Sequence, residues 1–122
     1  TEIEFVQLDI LNEENWSAFP KADIIVSNPP YIPQKEKSLM HDNVLAHEPH
    51  LALFVTDNNP LIFYAAIAAA SKLILKDNGT IYVELFEGLG SETQLLFENH
   101  GFNVILKKDI QGKDRFIKAF KV

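Results

Sequence analysis

Short apolar runs alternate with helical patterns of apolar spacing along this chain. Residues 5–9 and 23–27 are two such runs, and their composition predicts two buried strands. Further strands are predicted at residues 80–86, 102–107 and 115–121. The last two are joined by a turn-rich segment that is too short for a helix, so they are expected to pair antiparallel. The whole pattern predicts an α/β fold in which a mostly parallel sheet ends in an antiparallel hairpin.

Two helices are expected between these strands. The first covers residues 61–75, is apolar on nearly every side and should pack against the sheet. Its start is predicted from Asn59, as the cap residue, with the following proline at the first helical position. The second helix is expected to open with a capping box formed by Ser91 and Gln94 and to close at Gly101.

The stretch VSNPPYIP, residues 26–33, takes a strand directly into an amide, two prolines and an aromatic ring. Pro29 and Pro30 have no N–H and a fixed φ, which leaves the carbonyls of this turn as rigid acceptors. Together with the side-chain oxygen of Asn28, they can hold both hydrogens of one planar NH2 group, with Tyr31 stacked on its face. Holding both hydrogens while the nitrogen pyramidalises favours a lone pair directed at an electrophile.

The predicted position of this motif is the one where open α/β sheets bind ligands. In such sheets the ligand lies at the carboxyl ends of the strands, where both Asp9 and Asn28 are expected. The alternative interpretation is a stiff turn that only ends the strand, and the strand immediately before the motif makes that alternative the weaker one. Trp16, in the connection between the first two strands, is expected to be a satellite of the core rather than to stack on a ligand.

Composition narrows the class of protein. The 122 residues are 47% hydrophobic and 23% charged, as in a folded soluble domain or part of one. The formal net charge of -6 does not favour a nucleic-acid partner. There is no cysteine, so disulfides and thiolate metal sites are excluded. Neither a membrane-length apolar run nor a secretory signal is found, and the cytoplasm is the default expectation.

Two further groups of side chains have the chemistry of binding sites. A polar segment carries His41, His47, Glu48 and His50, but the spacing HEPH differs from His-Glu-x-x-His and its proline would interrupt a helix, so no metal is predicted. Basic residues near the hairpin turn can contact nucleic acid or a protein, and a solvated hairpin end is the favoured interpretation. They are Lys107, Lys108, Lys113 and Arg115.

The segment DIIVSNPPYIP, residues 23–33, resembles the motif of amino-group methyltransferases that use S-adenosylmethionine. Four more segments extend the resemblance over nearly the whole chain: HEPHLAL at 47–53, DNGTIYVEL at 77–85, HGF at 100–102 and DIQGKDRFIKA at 109–119. Together they resemble the bacterial-type N5-glutamine methyltransferases of peptide chain release factors. The resemblance implies a Rossmann-like class I methyltransferase sheet and a glutamine acceptor in the Gly-Gly-Gln loop of a release factor.

The resemblance also implies roles for individual residues. The amide of the substrate glutamine would be bound by the four-residue motif, which consists of Asn28, Pro29, Pro30 and Tyr31. Asp9 and Ile10 match positions that line the adenine of S-adenosylmethionine, and Asn28 also belongs to the predicted cofactor-binding set.

Other features of the family are not found in these residues. There is no glycine-rich strand-to-helix turn and no following strand that ends in a ribose-binding acid, and the Gly-x-Gly at residues 88–90 is expected only to shape a loop. Residues 1–122 are therefore expected to form the carboxy-terminal part of a catalytic domain, without the cofactor turn and the N-terminal helical domain. Alone, they are expected to bind S-adenosylmethionine weakly. Residues 1–11 are expected to be displaced, frayed or paired with another copy, because unpaired strand edges recruit partners.

Two alternatives stay open at this point. The motif can bind any planar NH2 group, so an N6-adenine or N2-guanine methyltransferase is a second enzyme hypothesis. Such an enzyme would need a basic groove for the nucleic-acid backbone. A third hypothesis is an inactive fragment that serves only as a folding or interaction unit.

Overall fold

The structure, a computed structural model, describes residues 2–30, 32–33, 54–55 and 60–121. The strands in these ranges are β1 (Ala22–Ser27), β2 (Ile32–Pro33), β3 (Phe54–Val55), β4 (Leu75–Glu84), β5 (Asn103–Lys108) and β6 (Asp114–Phe120). The α-helices are α1 (Ile62–Ile74) and α2 (Gly90–Asn99), and short 3-10 helices cover Glu13–Ala18 and Glu87–Leu89. No helix within the described ranges is long and apolar enough to cross a membrane.

Four of these strands form one sheet in the order β1-β4-β6-β5. β1 and β4 are parallel, whereas β6 is antiparallel to both β4 and β5. The predicted α/β fold with a terminal antiparallel hairpin is therefore confirmed, and the described sheet is mixed. Ser27 pairs with Val83 and Glu84 pairs with Phe116, so the carboxyl ends of β1 and β4 and the start of β6 lie side by side.

The core lies between this sheet and the two α-helices. Alternate positions of β4 and β6 point to the same face, as the pleat of a strand requires. Tyr64 of α1 and Phe97 of α2 are fully buried against that face. The buried side chains that contribute from the two strands are Leu75, Ile81, Val83, Ile117 and Ala119. Packing of both helices on one face gives the sheet a rigid base for the ends of its strands.

A glycine after the cap residue terminates α2, as predicted. Gly101 has a φ of 93°, a left-handed conformation that glycine adopts without a steric penalty. Its N–H donates to the carbonyl of Glu98 at 3.0 Å, and the N–H of Phe102 donates to the carbonyl of Phe97 at 3.2 Å. These two hydrogen bonds form a Schellman motif, and the rings of Phe97 and Phe102, 6.2 Å apart, supply its hydrophobic contact.

The start signals predicted for both helices were wrong. Leu61 occupies the cap position of α1 and makes no side-chain capping bond, so Pro60 precedes the cap; Asn59 lies outside the described residues. Ser91 is exposed within α2, whose cap position is held by Leu89. The 3-10 turn before α2 explains the difference, because it brings the backbone into helical geometry already at Gly90.

The strand predicted at residues 5–9 is also wrong, since residues 2–9 form no strand. Phe5 is 92% exposed, and in β1 Ile24 and Val26 are 62% and 75% exposed. The burial predicted for the two runs is therefore wrong at these positions. The physical reason is pairing: among the described strands β1 pairs with β4 alone, which leaves its other edge without the partner that a flanking strand would provide. The exposure of residues 2–6 is consistent with the expected displacement of this segment.

Candidate active site

The predicted motif lies at the carboxyl end of β1, beside the end of β4. Pro29 is buried and Pro30 is half-buried, so the diproline is packed into the protein and fixes the direction of the turn. Asn28 is exposed, and its carboxamide makes no hydrogen bond to the rest of the described chain. Tyr31 lies outside the described residues. As far as the described residues go, the motif therefore presents an amide group with unused hydrogen-bonding capacity beside a conformationally fixed diproline turn.

An apolar cavity of about 530 Å³, here called the diproline cavity, adjoins this turn. It brings together Ile10, Pro29 and Pro30, three of the residues that the sequence predicts for the site. Phe63 of α1 also lines it. The lining offers flat or branched apolar surfaces, which suit the face of an aromatic or heterocyclic ring.

Asp9 and Ile10 form a turn that is held by side chains. The Oδ1 atom of Asp9 accepts a hydrogen bond of 2.9 Å from the N–H of Leu11, and its carbonyl accepts one of 3.0 Å from the Nδ2 of Asn15. The Nε1 of Trp16 donates to the carbonyl of Ile10 at 2.8 Å. Trp16 is 9% exposed, so it joins the buried hydrophobic residues as expected, and it also fixes Ile10 at the cavity, a role that sequence reasoning missed.

The Trp16→Phe substitution tests this role. Phenylalanine keeps most of the apolar packing but removes the donor, so the carbonyl of Ile10 loses its partner, at a cost of about 1–2 kcal/mol in unfolding free energy. We also expect weaker cofactor binding by the complete gene product, because Ile10 is no longer held at the cavity. Urea denaturation and calorimetric titration measure the two effects. Asn15→Ala, which removes the neighbouring bond to Asp9, separates loss of the turn from loss of Ile10, and unchanged stability in Trp16→Phe would contradict the assignment.

A second cavity, of about 380 Å³, lies at the carboxyl ends of β1 and β4 and is called the carboxyl-end cavity. Asn28 borders it, together with Glu84 at the end of β4 and Arg115 near the start of β6. Val26 and Ser27 line both cavities, so the two cavities adjoin at the end of β1. Ile10 and the diproline thus line one cavity and Asn28 lines the other, and the end of β1 belongs to both.

The hairpin turn next to this cavity is organised by Asp109. Its Oδ1 atom accepts hydrogen bonds of 2.9 Å and 3.0 Å from the N–H groups of Gln111 and Lys113, and its Oδ2 accepts one of 3.0 Å from the Nη2 of Arg115. The hydrogen bond from the Lys113 N–H, followed by that from Arg115, lowers the pKa of Asp109 below its ordinary value. Asp109 is therefore ionised at neutral pH and holds Arg115 as an ion pair.

The remaining candidate groups are the basic cluster, the Gly-x-Gly segment and the histidine-rich segment. In the basic cluster, Lys108 is paired with Asp114 at 2.7 Å, just as Arg115 is paired with Asp109, which neutralises part of its charge. The Gly-x-Gly at residues 88–90 lies in a 3-10 turn that leads into α2, consistent with a loop-shaping role. The histidine-rich segment lies outside the described residues. Among the residues that are described, no group of three or more His, Cys, Asp or Glu side chains could hold a metal ion.

Comparison with known proteins reveals relatives that cover nearly all of this chain. A release factor glutamine methyltransferase of Flavobacterium psychrophilum is 48% identical over 119 residues, which make up 97% of this chain and 41% of that protein. One of Lactococcus lactis is 41% identical over 119 residues, or 96% of this chain and 42% of that protein. The chain is a homologue of the release factor glutamine methyltransferases. The family resemblance of the sequence is thereby confirmed, although no family model matches the chain.

The homologous region is limited to part of these enzymes. The chain spans about two fifths of the length of the release factor glutamine methyltransferases named above, at 41% and 42%. A crystal structure of a release factor-specific protein-(glutamine-N5) methyltransferase from Alicyclobacillus acidocaldarius matches with a TM-score of 0.54 and 24% identity, over 89% of this chain and 55% of that one. This match confirms that the sheet and helices have a methyltransferase fold.

Proposed function

We propose that the protein transfers a methyl group from S-adenosylmethionine to the side-chain amide nitrogen of a glutamine in a release factor, at its Gly-Gly-Gln loop. The observation that carries this proposal is the exposed Asn28 carboxamide at the end of β1, backed by the buried Pro29. The homology to release factor glutamine methyltransferases supports the same reaction. Residues 1–122 are proposed to form the carboxy-terminal part of the catalytic domain, so the complete gene product is the unit to be tested.

The residues of the motif act by positioning. The side-chain oxygen of Asn28 and a carbonyl of the diproline turn accept hydrogen bonds from the two N–H groups of the glutamine amide. These acceptors interact more strongly as the nitrogen loses its conjugation and gains positive charge, so they stabilise the transition state more than the ground state. Such alignment is worth roughly 7–11 kcal/mol in well-oriented reactions. Tyr31 is proposed to stack on the amide plane.

The residues of the diproline cavity fit the cofactor that the family uses. Ile10, Pro29 and Pro30 provide apolar surface for the faces of an adenine ring, and they line one cavity. The exposed carboxylate of Asp9 can accept hydrogen bonds from a polar edge of the cofactor, since a carboxylate has about four acceptor sites. Asp9 and Ile10 would hold the adenine, and Asn28 would lie near the reacting methyl group. When bound, S-adenosylmethionine supplies an electrophilic methyl group on a positively charged sulfur.

Charge favours a protein over a nucleic acid as the substrate. The formal net charge is -6, and two cations of the basic cluster, Lys108 and Arg115, are paired with carboxylates. A nucleic-acid methyltransferase would need a basic groove along the phosphate backbone, because phosphate contacts supply most of such affinity. A glutamine in a neutral glycine-rich loop makes no such demand.

The function is tested with the complete gene product, a release factor and S-adenosylmethionine. Mass spectrometry of the peptide that contains the Gly-Gly-Gln sequence should show the added mass of one methyl group on the glutamine. A release factor with that glutamine changed to alanine is the matched control and should remain unmodified. Methylation of DNA or RNA in place of the release factor would transfer the function to the nucleic-acid alternative, and no methylation of any of these would overturn the proposal.

A further inference from the structure

The carboxyl-end cavity contains polar groups that the proposed reaction has not used. Glu84 and Arg115 border it together with Asn28, and Tyr82 and Phe116, whose ring centroids are 6.5 Å apart, form an aromatic part of its wall. Register explains why these distant residues meet: Ser27 pairs with Val83, and Glu84 pairs with Phe116. A substrate amide held by Asn28 would therefore have its neighbouring chain in contact with this wall.

Arg115 is held firmly at the edge of the cavity. The N–H of Leu85 donates to its carbonyl at 2.8 Å, which ties its backbone to the end of β4. Its Nη2 donates to Asp109 at 3.0 Å, and Asp109 is itself fixed by two backbone N–H groups of the turn. A guanidinium oriented in this way is a preorganised donor, because little rotamer freedom remains to be lost when a ligand binds.

The chemistry of the wall indicates what Arg115 would bind. A guanidinium presents a planar fork of N–H donors that matches oxygen acceptors. An acidic peptide would bring its charge towards Glu84 in a protein whose net charge is already -6, and like charges at close range repel. Main-chain carbonyl oxygens are acceptors without a net charge, and in glycine residues no side chain prevents their close approach.

We propose that Arg115 binds main-chain carbonyl oxygens of the substrate loop next to the methylated glutamine, and that Asp109 is the positioning residue that orients it. This inference rests on the proposed function, and it adds a substrate-binding residue to the motif of Asn28. The aromatic rings of Tyr82 and Phe116 complete the cavity as an apolar surface against which the glycine backbone packs.

Steady-state kinetics of the complete gene product test the proposal, with release factor and cofactor varied separately. Arg115→Ala should raise the KM for the release factor roughly 10–100-fold, as expected for loss of a hydrogen bond to a charged group, while kcat changes by less than about 3-fold. Arg115→Lys keeps the positive charge but loses the planar fork of N–H donors. Its KM for the release factor should lie between that of the unsubstituted protein and that of Arg115→Ala. Asp109→Asn keeps an acceptor for the turn but loses the ion pair, and should raise the same KM by about 3–10-fold. The KM for S-adenosylmethionine should not change.

Lys108→Ala is the matched control, because Lys108 is an ion-paired cation on the same hairpin and is not among the residues lining the cavity. It should leave the KM for the release factor unchanged. An equal rise in Lys108→Ala, or no rise in Arg115→Ala and Arg115→Lys, would overturn the inference while methylation by the unsubstituted protein still supports the function. No methylation by the unsubstituted protein would overturn both. Should Arg115→Ala fail to fold, Arg115→Lys and Asp109→Asn decide, and an unchanged KM in both overturns the inference.

Discussion

Replacement of Asn28 by alanine is expected to lower kcat for release factor methylation by about 10–10³-fold, at roughly 1.4 kcal/mol per decade. The physical reason is that the side-chain oxygen holds one N–H of the amide most strongly while the nitrogen attacks. Stability should change little, because Asn28 is exposed and its carboxamide has no partner in the described part of the chain. The measurement is single-turnover methylation by the complete gene product, followed by mass spectrometry of the Gly-Gly-Gln peptide.

Two further substitutions sharpen this result. Asn28→Asp keeps an acceptor but introduces a negative charge near the positively charged sulfur of the cofactor, so it should retain cofactor binding and lose turnover. Asn103→Ala removes an exposed asparagine from the start of β5 that is not among the residues lining the cavity, and it should leave kcat unchanged. Near-normal turnover in a folded Asn28→Ala protein would mean that the motif is only a stiff turn.

The sequence predicts the sheet and its terminal hairpin correctly because those features depend on local signals. The antiparallel pairing of β5 with β6 follows from a turn that leaves no room for a crossover helix. Gly101 was identified as the end of α2 because a left-handed residue at that position strongly favours glycine. In both cases the physical cause lies within a few residues of the element that it determines.

The errors arise where the cause lies elsewhere in the chain. Residues 5–9 have a strand-like composition, but a strand forms only when another strand accepts its backbone hydrogen bonds. The exposure of Ile24 and Val26 has the same origin, since burial of an outer strand depends on the elements that cover it. Ser91 has the right chemistry for a cap, yet the preceding 3-10 turn moves the start of α2 to Gly90.

The candidate site was only partly predictable for the same reason. Asn28 could be singled out because two prolines and a strand adjoin it in the sequence. Its approach to Glu84 and Arg115 depends on the parallel register of β1 with β4 and the antiparallel register of β6, which no local pattern specifies. The stacking role of Tyr31 stays a prediction, because that residue lies outside the described part of the chain.

Tyr64 of α1 contacts the end of β4, where Glu84 borders the carboxyl-end cavity. This side chain is fully buried, and its hydroxyl donates to the carbonyl of Glu84 at 2.9 Å while accepting from the N–H of Phe86 at 3.3 Å. Tyr64 therefore joins the helix layer to the strand end by packing and by two hydrogen bonds. We expect both the stability of the fold and the geometry of the carboxyl-end cavity to depend on Tyr64.

Tyr64→Ala is expected to lower the unfolding free energy by about 3–5 kcal/mol, because a large core side chain leaves a cavity that the packed surroundings cannot fill. Tyr64→Phe keeps the ring and loses only the bridging hydroxyl, so it should cost about 1–3 kcal/mol. Tyr82→Phe is the matched control: the hydroxyl of Tyr82 makes no hydrogen bond within the described residues, and its loss should change stability by less than about 0.5 kcal/mol. Urea denaturation followed by circular dichroism measures all three. Equal losses in Tyr64→Phe and Tyr82→Phe would contradict the bridging role, because the hydroxyl of Tyr64, unlike that of Tyr82, is hydrogen-bonded to the backbone at the end of β4.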